Sequence, residues 1–111
     1  MYASVHKYSV ESERVDEFMH RVDERFAPRL EKMPGFLAFQ AIDAGVDRAG
    51  EGTVFAVTIC SDREAADRSA EIAAEFVRDE AGDMEVELFE AATGAVSVNR
   101  AMSEVLETAH A

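Results

Sequence analysis

The chain has 111 residues and sets 23 acidic side chains against 11 basic ones, a net charge of −12. That length holds one domain with one main core, and a hydrophobic share of 48%, with no unbroken apolar stretch long enough to span a bilayer, excludes both a disordered tail and a membrane helix. The negative field repels phosphate backbones and anionic lipid, so neither nucleic acid nor a membrane surface is expected as a partner.

Residues 2–10, YASVHKYSV, alternate in the two-residue period of a strand and are rich in aromatic and β-branched types. From Ser12 the period lengthens: Val15, Phe18, Met19, Val22, Phe26, Leu30 and Met33 fall at threes and fours, one face of a helix. Ser12 is the expected N-cap and Pro34-Gly35 the stop. Pro28 sits inside this run, where it removes a backbone donor and should bend or break the helix. The carboxylates Asp16, Glu17, Asp23 and Glu24 lie on its polar face, where Arg14, Arg21 and Arg25 stand at helical spacing to pair with them.

Residues 36–43, FLAFQAID, read as a second strand, and the glycine-rich stretch 44–52 reads as a hairpin loop. The third strand, 53–60 or TVFAVTIC, is apolar or β-branched nearly throughout, the signature of the sheet's centre. Ser61 or Asp62 should cap a second long helix ending near Glu80, with Ala66, Ser69, Ala73, Phe76 and Val77 on its inner face. Met84, Val86 and Leu88 alternate with glutamates, leaving 82–92 as either a short exposed strand or irregular chain, and 93–99 is the expected last strand. The domain is expected over 1–100, with 101–111 a tail that forms at most a short helix.

This βαββαβ order implies an α+β fold of the ferredoxin-like type, an antiparallel sheet with both helices on one face. The third strand carries apolar side chains on its other face too, and a second copy of the chain is the simplest cover for it. The single cysteine, Cys60, has no intramolecular partner, and Met1 leads into a polar strand-like segment, so a reducing cytoplasm is expected.

Tyr8-x-Val10, Val15-Asp16-Glu17-Phe18, Met33-Pro34-Gly35-Phe36 with Phe39 and Asp43, Ser61 to Ala66, and Ala73-Ala74-Glu75-Phe76-Val77 follow one another over most of residues 2–99. In these the sequence resembles the antibiotic-biosynthesis-monooxygenase-like family of the dimeric α+β barrel superfamily. The resemblance implies a homodimer with a cleft between helices and sheet in each subunit. It also implies oxidation of a small aromatic or quinol-type compound in which the deprotonated substrate reduces dioxygen without metal or flavin. Such chemistry asks for a base, a donor to the developing enolate oxygen and aromatic walls.

His6 is the candidate base, since an imidazole titrates near neutral pH, and Tyr8, Phe39, Ser69 and Phe76 are the candidate ligand-binding residues. Each has a plainer reading: a packed strand histidine, core rings, and a serine bonded back to its own helix. His20 falls on the charged helix face and His110 in the tail. No metal is expected, because no paired-histidine spacing exists and a lone cysteine makes no structural zinc site. No cofactor is expected either; the haem-degrading branch carries a histidine late in the second helix, where this chain reads Phe76, Val77, Arg78, Asp79. Two departures, the absence of tryptophan and of asparagine between Ala65 and Ala74, keep a non-catalytic binding module as the alternative.

Overall fold

The alternating N-terminal segment forms β1 (Tyr2–Glu11) in a computed structural model that describes residues 1–102. β2 (Phe36–Val46), β3 (Glu51–Cys60) and β4 (Glu87–Ala95) complete a four-stranded sheet in the order β2-β3-β1-β4, antiparallel throughout. This is the ferredoxin-like α+β arrangement expected from the order of elements. β3 lies between β2 and β1, as its apolar composition predicts. Ser4, His6, Tyr8 and Val10 of β1 and Val54, Thr58 and Cys60 of β3 are buried under the helices. On the opposite face Val5, Phe55, Val57 and Ile59 are only half-covered.

The first helical run departs from a uniform α-helix. A 3₁₀ turn at Ser12–Arg14 leads into α1 (Val15–Arg21), a π-helical turn follows at Val22–Phe26, and α2 (Ala27–Glu31) begins with Pro28 in its first turn. Pro28 has no N–H to give to Glu24 and its ring crowds that carbonyl; widening the preceding turn absorbs the conflict and keeps Val22, Phe26 and Leu30 buried. Ser12, expected as the cap, makes no side-chain capping bond, because the chain enters through the 3₁₀ turn. At α3 (Arg63–Glu80) the cap is Asp62, whose Oδ1 accepts from the Ala65 amide at 2.8 Å.

Two glycines set the strand ends against the helices. Gly35 has φ +85, and a side chain there would collide with Ala65 and Ser61 at the start of α3. Gly52 sits against Val15, which a side chain would displace. The hairpin is tighter than the expected 44–52 loop: Asp47 Oδ1 accepts from the amides of Ala49 and Glu51, both at 2.9 Å, and closes a turn between Val46 and Glu51.

The last strand lies earlier than the expected 93–99. β4 can pair only where β1 offers backbone, and β1 starts at Tyr2, which meets Ala95; residues 87–95 therefore take the edge, with a bulge opposite Lys7 and Tyr8. Before it, Asp83 is held by Arg14 and Arg21, and Met84 is fully buried. Of the expected tail, residues 103–111 lie outside the described residues, His110 among them. No helix among those described is long and apolar enough to cross a membrane.

Candidate functional site

Strand alternation leaves two possibilities for His6, the helices or the open sheet face, and the structure places it under the helices. Its ring stacks on Tyr8, centroids 6.0 Å apart and 13° from parallel. The rings then continue across the core: Tyr8 to Phe18 at 6.3 Å, Phe18 to Phe76 at 6.3 Å, Phe76 to Phe26 at 5.3 Å and Phe26 to Phe39 at 5.3 Å. A bulge at Leu37 turns both Phe36 and Phe39 inward, in register with Cys60 and Thr58.

These rings wall a cavity of about 20 Å³ between sheet and helices, room for one water. His6, Tyr8 and Val77 separate it from a groove of about 280 Å³ between α3 and β4, whose rim includes Arg78 and Leu88. Val22, Phe39 and Ala41 separate it from a groove of about 840 Å³ between α1 and the β2 edge. The cavity and the two grooves share these walls and would form one passage only with the side chains moved aside. Val77 and Phe39, on the two walls, are only half-buried.

His6 is 8% exposed and its ring nitrogens make no hydrogen bond among the described residues, yet no fully buried side-chain nitrogen or oxygen there lacks a partner, so the ring is not sealed off from solvent. Burial pushes its pKa below the usual 6.5, so the imidazole is neutral at neutral pH. Tyr8 is pushed up to about 12 by the same desolvation, so its hydroxyl keeps the proton. A neutral imidazole beside a protonated phenol can accept one proton and donate to an oxygen that gains charge.

Ser69 also faces the cavity, but its hydroxyl donates to the Ala66 carbonyl at 2.6 Å, so the proton expected for a ligand is engaged within α3. Phe39 and Phe76 stand on the wall. Sequence reasoning missed Thr58, a buried hydroxyl on the cavity wall that reads in TVFAVTIC as one more β-former. It also took Phe18, Val22 and Phe26 for core alone. Cys60 is buried with its thiol pushed up by desolvation, which suits a small core residue. Among the described residues no three His, Cys, Asp or Glu side chains gather as metal ligands would.

The family model for antibiotic biosynthesis monooxygenase matches residues 1–74. The chain belongs to that family. The matched span carries His6, Tyr8, Phe39 and Ser69, while Phe76 and Arg78 lie beyond it. Among solved structures this monooxygenase-family chain is similar to HapK from Hahella chejuensis, with a TM-score of 0.70 and 21% identity over 92% of this chain and 99% of that one. It is similar to a dimeric ferredoxin-like protein from an uncultured marine organism, with a TM-score of 0.65 and 14% identity over 92% and 100% of the two chains. MupZ from Pseudomonas fluorescens aligns with a TM-score of 0.62 and 16% identity over 83% of this chain and 65% of that one. At such identities the likeness is one of fold. No curated protein matches the chain.

Proposed function

We propose that the chain is a homodimeric, cofactor-independent monooxygenase that oxidises a small aromatic or quinol-type compound in the passage between helices and sheet. The observation that carries this is His6: a largely buried imidazole that makes no hydrogen bond among the described residues, set where the cavity meets the groove between α3 and β4. His6 takes the substrate proton and Tyr8 donates to the enolate oxygen. The electron-rich carbanion reduces dioxygen to a peroxide on the same carbon, and loss of water leaves a carbonyl. For an anthrone the balance is CH2 plus O2 giving C=O plus H2O. Thr58, Phe39 and Phe76 shape the wall, and Ser69 contributes only its oxygen.

Family membership supports this reading, and so does the chemistry of the wall. The half-covered sheet face and the dimeric description of a structural neighbour support the homodimer. A panel of anthrones and hydroquinones, given to metal-free protein in an oxygen electrode, tests the activity. Uptake above buffer with at least one member is expected; tight binding of the panel without uptake would favour the binding module instead. The narrow cavity and the engaged Ser69 proton are what favour that second reading.

The pH dependence follows from the direction of the His6 shift. The folded protein binds fewer protons at His6 than the unfolded chain in the window below 6.5, so this residue's contribution to stability falls as pH drops through that window. The base is likewise lost only below 6.5. The acid limb of kcat/KM should therefore lie below that value in the parent; a limb above it would show that another group is titrating.

A further inference from the structure

The groove between α3 and β4 is where the structure offers a ring room beside His6. Ala70, Ala74 and Arg78 fall four residues apart on α3 and so share one face, with Val77 beside them. The two methyl side chains leave the space that Val86 and Leu88 close from the other side. His6 and Tyr8 line both this groove and the cavity. The cavity, at about 20 Å³, admits one water, whereas the groove, at about 280 Å³, is close to the lower end of small-ligand sites. The largely buried imidazole of His6, with no hydrogen bond of its own among the described residues, is a free polar group at that groove.

Arg78 is the one charged side chain lining the groove among the described residues. Its Nε donates to Asp79 Oδ1 at 3.0 Å and its Nη2 to Asp79 Oδ2 at 3.4 Å, while Nη1 makes no hydrogen bond among the described residues. Both partners of this pair are exposed, and such a pair contributes little. The guanidinium has five donors, so Asp79 fixes one edge of it and leaves the end of the fork for a second carboxylate. Arg78, Val86 and Leu88 all lie beyond residues 1–74, the span of the family match, so this part of the groove is no part of the family pattern. We propose that the α3–β4 groove binds an aromatic compound carrying a carboxylate, its ring between α3 and β4, its hydroxyl at His6 and Tyr8, and its carboxylate on the open end of the Arg78 guanidinium. This rests on the reading of His6 as part of the ligand site. A net charge of −12 repels anions over the surface as a whole, so a carboxylate gains here only through direct contact with Arg78.

Three naphthol probes test this by titration calorimetry, one unsubstituted, one with a carboxyethyl chain and one with an aminoethyl chain. At about 0.15 M salt, where charges beyond about 8 Å are screened, the carboxylate probe should bind about tenfold more tightly than the ammonium probe. Arg78→Gln should cut that ratio at least threefold. Asp79→Asn, which releases the other edge of the guanidinium, should raise it and reads the same contact should the first variant fail to fold. Arg68→Gln, the same change of charge in a separate surface hollow along α3, should leave it intact. Ala74 is exposed, so Ala74→Leu should keep the fold, fill the groove and weaken all three probes at least tenfold. An ammonium probe bound as tightly as the carboxylate probe, or more so, overturns the anionic ligand and leaves the proposed function standing. An equal loss of preference in the Arg68 variant does the same, since overall charge would then be the cause. Unchanged affinities in the Ala74 variant overturn the groove as the place of binding. Binding of none of the probes overturns the inference as well: with oxygen uptake on the wider panel the proposed function survives alone, and without uptake both fall.

Discussion

His6→Ala should lower kcat/KM for oxygen uptake by about 100- to 10,000-fold, the span general-base assistance commonly covers, while leaving the melting temperature and assembly near the parent. The fold should tolerate the change because His6 makes no hydrogen bond among the described residues, so its removal orphans no buried partner. Ligand affinity should change only a few-fold, since Tyr8, Phe18 and Phe76 still wall the cavity. A pH–rate profile separates a base from a spacer: His6→Phe keeps a ring in place, yet it should lose the acid limb along with the activity. Full activity in either variant would leave the passage without an identified base and return the chain to the binding reading.

Val57→Glu should split the proposed dimer. Val57 pairs with Val5 on one side and Gln40 on the other, in the middle of the sheet face turned away from the helices. In a monomer that carboxylate is solvated at little cost; in a sheet-to-sheet dimer it is enclosed without a partner, which costs several kcal/mol, about 100-fold or more in the association constant. Sedimentation at micromolar protein should show the parent at about 24 kDa, twice the chain's mass, and the variant at 12.2 kDa. A variant that stays dimeric would move the interface elsewhere, and a monomeric parent would remove it.

The strand periods were sufficient to find β1 and β3, and with them the row Ser4, His6, Tyr8, Val10, because alternation groups residues on one face without saying which face is covered. That last choice needed the helices, whose burial comes from contacts between distant segments. Pro28 reads in the sequence as a disturbance of the helix, but its resolution as a π-helical turn depends on the core holding Val22 and Phe26, the two ends of that turn, in place. The edge strand was set back by several residues because its limits are dictated by the length of β1, a fact of pairing and not of composition. Thr58 was invisible as a site residue since threonine is an ordinary strand former. The ion pairs of the first helical run were hidden as well: helical spacing offers Arg25 its neighbours on the same helix, whereas the fold offers it Glu80 across the gap.

Isotopic labelling tests the oxygenase reading most directly. Metal-free, flavin-free protein is turned over on the best anthrone of the panel under labelled dioxygen, and the new carbonyl oxygen is followed by mass spectrometry. One labelled atom per product, the other recovered in water, with one dioxygen consumed per substrate, is the result expected of a base-initiated reaction in which the substrate itself reduces dioxygen. A product whose new oxygen comes from solvent, or a substrate that binds in the cavity and is never oxidised, would contradict it.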